Sequence, residues 1–216
     1  MKYIPEEEII SLFNKMNASD LQYILIRNIN YELPQKLKMG KDIDLLVNYE
    51  DKNSILDFFL NNKFKEIPHP HRNDIYLYGV NKYLFLKNEC GIVIDLNFQL
   101  AVRSLDAGQW IPLDQEIQKS VWDCKRFVQL KNNFGYWSLD YEDEFVFLIS
   151  RSIFDKKEFQ TGYIDRINEL LSLIDQDRVF LKLKKIFFNY TPHLLEQIKN
   201  RDYLNIFGNY LKFSDY

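Results

Sequence analysis

The sequence predicts an α+β fold in which a mixed β-sheet with flanking helices is followed by a helical bundle. Up to about residue 138, short apolar runs rich in β-branched residues alternate with turn residues. Beyond Asp140, the apolar residues recur with helical periodicity. We therefore predict a core over residues 1–138 and a helical domain over residues 139–216 that packs on this core.

The first predicted elements are a helix, two strands and a second helix. Pro5 and the three glutamates after it suit the first turn of a helix, because acids there favour the positive end of the helix dipole. Residues 22–27 and 43–48 have the composition of neighbouring strands, and the segment between them, which contains Pro34, is predicted as a loop. An amphipathic helix is predicted over residues 50–62.

The later elements follow from the same patterns. The pattern from Arg103 to Tyr136 is irregular and predicts only a short pair of strands, near residues 126–130 and 135–138. Before it we expect strands over residues 75–79, 83–87 and 92–99, with a hairpin turn at residues 88–91. After it we expect helices over residues 142–154, 163–174 and 179–188, and one more that begins at Thr191-Pro192 with Thr191 as its cap.

Three acids stand in apolar, β-branched runs. Asp42 and Asp44 are two residues apart in Gly40-Lys41-Asp42-Ile43-Asp44-Leu45-Leu46-Val47 and so point to the same side of a strand, and Asp95 lies in a second such run. Burying three carboxylates is costly unless a cation offsets their charge. Mg²⁺ suits this role because it takes hard oxygen ligands. The alternative is that these acids cap strand ends and pair with Lys41 or Arg27.

The order of these features resembles the polymerase-β-type nucleotidyltransferase superfamily. Its members carry a strand, a phosphate-binding turn, a strand with acid-x-acid and a third acid on a neighbouring strand. Tyr23-Ile24-Leu25-Ile26-Arg27-Asn28, Leu33-Pro34, the octapeptide at residues 40–47 and Asp95 follow that order over about residues 20–101. The resemblance implies a nucleotidyltransferase-like core, Mg²⁺ (or Mn²⁺) as the cofactor and a nucleoside triphosphate (NTP) as the donor.

The resemblance also implies roles for individual residues. Asp42 and Asp44 would hold the metal on the triphosphate side, and Asp95 would complete a second metal site or act as general base. Lys41 is predicted to bind the nucleotide. Cations from a helical second domain commonly reach the nucleotide in this superfamily, so Lys156 is predicted to bind it too, with Lys157 as the alternative.

The turn after the first strand departs from the superfamily. Its members have Gly followed by Gly or Ser there, whereas this chain has Arg27-Asn28-Ile29-Asn30. We expect Asn28 to adopt the left-handed conformation that the turn needs, since Asn tolerates it better than most residues. Arg27 either holds a phosphate through its planar fork or is an ordinary surface cation at a strand end.

The segment Pro68-His69-Pro70-His71-Arg72 holds two of the three histidines of the chain. His69 and His71 with an acid would suit a transition metal, but histidines spaced by proline in a loop are more often exposed polar residues. Arg72 would contact a substrate phosphate if this loop overhangs the site.

The composition limits the partners and the compartment. A net charge of −3 lacks the basic character of non-specific DNA or RNA binders. Cys90 and Cys124 form neither a disulfide framework nor a zinc pattern, and the sequence has no signal peptide and no run of about 20 apolar residues that would insert into a membrane. We expect a soluble cytoplasmic protein with free thiols.

These features predict a metal-dependent nucleotidyltransferase that transfers a nucleotidyl group from an NTP to a small molecule, a sugar or a glycan precursor. One alternative is a transferase of phospho-substituents in the decoration of surface polysaccharides. Another is a non-catalytic protein of the same fold that only binds, for example as an antitoxin. The three acids favour an enzyme, and the altered turn favours a binder or an altered donor.

Overall fold

The structure is a computed structural model that describes residues 2–19, 21–78, 82–87, 89–104, 109–130 and 134–213. The part up to residue 138 contains three α-helices and ten strands within these ranges. They are α1 (Glu6–Ala18), β1 (Tyr23–Leu25), β2 (Asp42–Val47), α2 (Lys52–Asn61), β3 (Lys65–Ile67), β4 (Ile75–Tyr76), β5 (Tyr83–Lys87), β6 (Ile92–Asn97), β7 (Ala101–Arg103), β8 (Gln109–Pro112), α3 (Gln115–Asp123), β9 (Arg126–Gln129) and β10 (Gly135–Ser138).

Seven of the strands form a mixed sheet in the order β3-β5-β6-β2-β1-β10-β9. The β2–β6 and β1–β10 pairs are parallel, and the other pairs are antiparallel. A small second sheet has the order β4-β8-β7. The prediction of a mixed sheet with flanking helices is therefore confirmed, and so are the hairpin between β5 and β6 and the strand pair β9–β10.

The main sheet separates two apolar cores. Successive side chains of a strand point to opposite faces, so β2 contributes to both cores. Ile43 and Leu45 pack in the core that contains α1 and α2, whereas Leu46 packs in the core formed with the later helices. Asp42 and Asp44 share the face of Leu46, and this alternation places both acids under the later helices.

The part of the chain after β10 is helical, as predicted. The structure describes α4 (Tyr141–Arg151), a π-helical turn (Ser152–Lys156), α5 (Thr161–Leu170), α6 (Gln176–Phe187), α7 (Thr191–Lys199) and α8 (Tyr203–Phe213). Asp140 caps α4 and accepts a hydrogen bond from the backbone N–H of Asp143 at 2.7 Å. Every residue of α4 from Asp143 to Ser150 is buried, because α5 and α6 pack on it and it shares a core with Ile24 and Leu46 of the sheet.

Several local predictions are wrong. The segment from Arg103 to Tyr136 is not merely irregular, since it contains β8 and α3. The helix α3 is short and buries only Ile117 and Val121. Thr191 does not cap α7 but lies in its first turn after Tyr190 at the cap position. β4 ends at Tyr76 and belongs to the small sheet, and Gly79 lies outside the described residues. The short strand β3 was not predicted.

No helix in the described part of the chain is long and apolar enough to cross a membrane.

Candidate active site

The three predicted acids lie together on one face of the main sheet. Asp44 on β2 is directly opposite Asp95 on the parallel strand β6. Asp42 lies two residues before Asp44 on the same face. Each of the three side chains places one carboxylate oxygen within 4.8 Å of the other two, and Asp44 and Asp95 are each only 8% exposed. This arrangement follows from strand alternation on β2 together with the register of β2 against β6.

Two of the acids already have basic partners, and the third does not. Asp44 forms an ion pair with Arg27, which follows the end of β1. Asp95 lies 3.6 Å from Nε2 of His69 and 3.9 Å from Nζ of Lys82, and its Oδ1 accepts a hydrogen bond from Asn97 at 3.3 Å. Asp42 forms no ion pair with any residue that the structure describes.

These surroundings shift the pKa values of the acids in opposite directions. Burial raises the pKa of Asp42, and the charges of Asp44 and Asp95 raise it further. Burial also acts to raise the pKa of Asp95, but the contact with His69 and the charge of Lys82 outweigh it and hold the pKa below its ordinary value. Asp95 is therefore ionised at neutral pH, whereas Asp42 lacks a counter-charge that a bound cation would supply.

A tyrosine hydroxyl joins two partly buried arginines beside the acids. The hydroxyl oxygen of Tyr163 accepts a hydrogen bond from Nη1 of Arg27 at 2.6 Å and another from Nε of Arg151 at 3.2 Å. Arg151 also forms an ion pair with Asp155 at 3.0 Å. The interpretation of Arg27 as an ordinary surface cation is wrong, because its side chain is only 17% exposed and binds Asp44 as well.

A cavity of about 380 Å³ opens beside Asp42 and Asp44. The turn after β1 and the first turn of α5 form two of its walls. Its charged lining consists of Arg27, Lys41, Arg151, Lys156, Glu32, Asp42 and Asp44. Four basic side chains around one cavity attract a polyanion, and the acids at its edge suit a cation bound to that polyanion.

The turn after β1 has a different geometry from the one expected. Asn28 is not left-handed, with φ of −136°, and the left-handed residues are instead Asn30 (φ 64°) and Tyr31 (φ 50°). The side chain of Asn28 accepts a hydrogen bond from the N–H of Leu33 at 3.0 Å and donates one to the hydroxyl of Tyr136 at 3.1 Å. Asn28 thus stabilises the turn through its side chain, and Asn30 and Tyr31 supply the left-handed backbone.

The structure brings the predicted site residues together. Lys41 and Lys156 both line the cavity, but Lys41 pairs with Glu32, whereas Lys156 is exposed and forms no ion pair within the described residues. Lys157, the alternative to Lys156, does not line the cavity. Their roles in nucleotide binding, and those of Arg27, Asn28 and the three acids, stay predictions.

In the part of the chain that the structure describes, the loop with His69 and His71 is neither a transition-metal site nor a pair of exposed polar residues. His69 is buried, its Nδ1 accepts a hydrogen bond from the N–H of His71 at 2.9 Å, and its Nε2 faces Asp95. His71 pairs with Asp74 at 3.1 Å. Within the described residues the acid cluster is the one group of three or more metal-ligating side chains found, so the loop makes no transition-metal site of that kind, and His69 is not an exposed polar residue.

Four of the residues around the acids were missed as site residues from the sequence. They are His69 as a partner of an acid, Lys82, Arg151 and Tyr163. Lys82 directly precedes β5, where a lysine is unremarkable, but in the structure it is nearly buried with its ammonium 4.2 Å from the ring centre of Trp110. Arg151 and Tyr163 looked like ordinary positions of helices, because only the packing of α4 and α5 turns them toward Arg27.

No protein-family model matches the chain, and no curated protein matches it either. Its fold does resemble solved structures. The solution structure of the antibiotic-resistance factor ANT(2'')-Ia matches with a TM-score of 0.51 and 12% identity, over 91% of this chain and all of that one. The chain has a nucleotidyltransferase fold.

Two further structures of nucleotidyltransferase type resemble the chain less closely. The lincomycin-bound lincosamide antibiotic adenylyltransferase LnuA has a TM-score of 0.49 at 13% identity, over 80% of this chain and all of that one. An antigenic nucleotidyltransferase-like protein from Paracoccidioides brasiliensis has a TM-score of 0.44 at 12% identity, over 90% of this chain and 91% of that one. At 12% identity, the likeness to ANT(2'')-Ia shows the fold alone, and the chemistry has to be argued from the residues of this chain.

Proposed function

We propose that this protein is a metal-dependent nucleotidyltransferase that transfers a nucleotidyl group from an NTP to a hydroxyl of a small molecule, a sugar or a glycan precursor. The observation that carries the proposal is the convergence of Asp42, Asp44 and Asp95 beside a cavity with four basic side chains. Nucleotidyl transfer needs a positioned triphosphate and neutralisation of its charge more than it needs covalent help from the protein.

The donor set of the acids fits a hard divalent cation. Asp42 and Asp44 provide oxygen ligands on one strand, and Asp95 provides a third oxygen close by. Burial raises the pKa of Asp42, and the charges of Asp44 and Asp95 raise it further, so a bound cation would offset both effects. Mg²⁺ or Mn²⁺ held here would neutralise charge on the triphosphate and on the oxygen that leaves with the pyrophosphate.

The triphosphate would lie in the cavity next to the acids. Arg27 and Arg151 are held in place by Tyr163, and a guanidinium can donate two hydrogen bonds to one phosphate group. Lys156 reaches the same cavity from the π-helical turn, as the fold resemblance suggested, and Lys41 adds a fourth cation. Pre-positioned cations favour the triphosphate because their side chains lose less freedom when the nucleotide binds.

In the transfer step, the acceptor oxygen forms a bond to the α-phosphorus. The bond from that phosphorus to the oxygen bridging to the β-phosphate breaks, and pyrophosphate leaves. Asp95 would take the hydroxyl proton, since its lowered pKa leaves the carboxylate ionised and able to accept one at neutral pH. Its contacts with His69 and Lys82 hold the carboxylate in one orientation toward the other acids.

One observation favours the binding protein as a second candidate. Arg27 forms an ion pair with Asp44, and the turn after β1 lacks the glycines that would let its backbone approach a phosphate. A protein that binds an NTP without transferring it would need the cavity cations but not Asp95.

The two candidates are separated by Asp95→Asn. The amide keeps the size of the side chain and can still accept a hydrogen bond from Asn97, but it cannot take a proton. Using NTPs labelled at the α-phosphate with a small-molecule extract as the source of acceptors, we expect labelled product from the wild-type protein and a loss of more than about 100-fold in the variant. Affinity for the NTP should change only a few-fold. Tight NTP binding by both proteins with no labelled product from either would favour the binding protein.

A further inference from the structure

The acids belong to a row of side chains that crosses four strands of the main sheet. Ile67 on β3 is opposite Leu84 on β5, Leu84 is opposite Asp95 on β6, and Asp95 is opposite Asp44 on β2. Directly opposed residues of a sheet share a face, so Ile67 and Leu84 continue the surface that carries the acids. The nucleotide cavity lies at the Asp44 end of this row.

A second cavity, of about 610 Å³, lies at the other end of the row. Ile67 and Leu84 form its floor, and His69, Arg72 and Lys82 line it. His69 and Lys82 are also the two basic partners of Asp95. The acids therefore stand between the two cavities, which is where an acceptor and a triphosphate would have to meet.

Most of the residues that line the second cavity are apolar or basic. Glu66 and Tyr83 line it as well, but their positions on β3 and β5 alternate with those of Ile67 and Leu84. Glu66 is opposite Phe85, and Tyr83 packs against the same core as Phe85 on the reverse face of the sheet. Glu66 therefore lies on the opposite face of β3 from Ile67, although it is one of the lining residues.

Arg72 is the basic residue of this cavity that is available to a ligand. Its side chain is exposed and forms no ion pair with the residues described. Lys82, in contrast, is nearly buried against Trp110, where burial lowers its pKa, and its ammonium lies 3.9 Å from Asp95. Together they make the approach to Asp95 favourable for an anion and unfavourable for a polycation.

We propose that this second cavity binds the acceptor, and that the acceptor is a hydroxylated small molecule whose phosphate or carboxylate group is recognised by Arg72. The inference rests on the proposed function, since it takes Asp95 as the group that receives the hydroxyl proton. The acceptor's carbon skeleton lies over Ile67 and Leu84, its anionic group contacts Arg72, and its hydroxyl points to Asp95. The acceptor oxygen then bonds to the α-phosphorus as pyrophosphate leaves.

The test follows the chemical modification of Arg72 by phenylglyoxal, read residue by residue with peptide mass spectrometry. Glycerol 3-phosphate and lactate at millimolar concentration represent the two anionic classes, and glycerol and ethanolamine are the neutral and cationic controls. Arg178 on α6 is an exposed arginine that does not line this cavity and serves as the internal reference. We expect at least one anion to slow modification of Arg72 several-fold and to leave Arg178 unchanged, with no effect of the controls.

Equal modification of Arg72 with and without both anions would overturn the inference, and so would protection by ethanolamine alone. Preferential protection by glycerol 3-phosphate or by lactate would identify the anionic group. NTP binding in the presence of Mg²⁺ is measured on the same samples. If the NTP binds and neither anion protects Arg72, the acceptor assignment fails alone, whereas failure of the NTP to bind overturns the proposed function and the acceptor assignment with it.

A variant of Arg72 provides a second test of the acceptor site. Arg72→Gln removes an exposed charge that the fold does not use, so the variant should fold like the wild type. The acceptor is supplied in extract fractions, and we expect its KM to rise about tenfold or more while the affinity for the NTP stays within twofold. A tenfold rise corresponds to ~1.4 kcal/mol, which is a modest value for a lost charge-assisted hydrogen bond. An unchanged KM for an acceptor would contradict the role of Arg72.

Discussion

The hydroxyl oxygen of Tyr163 accepts a hydrogen bond from Arg27 at 2.6 Å, and this contact joins the end of β1 to the first turn of α5. The same oxygen accepts a hydrogen bond from Arg151 at the end of α4. Gly162 beside it allows close packing, because a Cβ there would lie 3.1 Å from Ile29 of the turn. One phenol therefore positions two cations that come from opposite halves of the sequence.

Removing the hydroxyl of Tyr163 tests whether this positioning matters for the nucleotide. In Tyr163→Phe both arginines keep their charge but lose a common anchor. We expect the KM for the NTP to rise about tenfold, which corresponds to ~1.4 kcal/mol, with a smaller effect on kcat. Tyr203→Phe is the matched control, because it removes a hydroxyl that bonds Asn168 at 2.9 Å and does not line the cavity. Equal kinetics of the two variants would contradict the positioning role.

The raised pKa of Asp42 gives a prediction about stability and pH. A group whose pKa is higher in the folded than in the unfolded protein favours folding when it is protonated, and that contribution is lost as the pH rises through the folded-state pKa. Asp42→Asn keeps the side chain neutral at every pH. In the absence of metal, we expect the melting temperature of the variant at neutral pH to exceed that of the wild type by about 2–4 °C, the effect of ~1 kcal/mol in a chain of this size.

The pH dependence of this difference supplies the control. The advantage of Asp42→Asn should shrink as the pH falls toward 3.8, the ordinary value of an aspartate, since Asp42 of the wild type then becomes protonated as well. Added Mg²⁺ should raise the melting temperature of the wild type and have little effect on the variant. A variant less stable than the wild type at neutral pH without metal would show that Asp42 is not repelled by its neighbours.

Lys156 and Lys157 are adjacent in sequence, and the structure separates their roles. Lys156 lines the nucleotide cavity and Lys157 does not. We expect Lys156→Ala to raise the KM for the NTP about threefold, as an exposed charge pair of ~0.7 kcal/mol would, and Lys157→Ala to leave it unchanged. Steady-state kinetics on both variants decides this. The opposite order of effects would assign the nucleotide contact to Lys157.

The part of the site that could be predicted from the sequence is the part that local periodicity determines. The shared face of Asp42 and Asp44 follows from their spacing on one strand, and the strand character of the run around Asp95 follows from its composition. The resemblance to the superfamily then placed the three acids together. Arg27 and Lys156 were also predicted as site residues, because a strand end and a helix end were expected to meet the nucleotide, and both line the cavity.

The rest depends on tertiary packing. His69 and Lys82 reach Asp95 only because β3 and β5 extend the sheet beyond β6, and the prediction did not contain β3. The parallel pairing of β10 with β1 likewise joins residues more than a hundred positions apart. Asn28 was wrongly predicted to be left-handed. Its side chain instead contacts Leu33 and Tyr136, and the local sequence does not indicate these contacts.

The division of the chain into two domains remains to be tested. Ile24 and Leu46 of the sheet are fully buried in a core that they share with α4. A fragment ending at Ser138 would keep every strand of the sheet but expose these side chains, so we expect it to aggregate or to melt without cooperativity. Size-exclusion chromatography and thermal unfolding monitor this. A soluble monomer with a sharp transition would show that residues 1–138 form an independent domain.

The central claim is that the three acids hold a metal that binds an NTP. The most direct test is to measure the equilibrium binding of ATP, GTP, CTP and UTP with and without Mg²⁺. Asp42→Asn is the matched variant, because it leaves the ion pairs of Asp44 and Asp95 intact. We expect at least one NTP to bind the wild-type protein, and to bind at least about tenfold more weakly without Mg²⁺ or in the variant, a loss of ~1.4 kcal/mol or more. Absence of binding of all four NTPs to the folded wild-type protein in Mg²⁺, or equal affinity of the variant, would contradict the account.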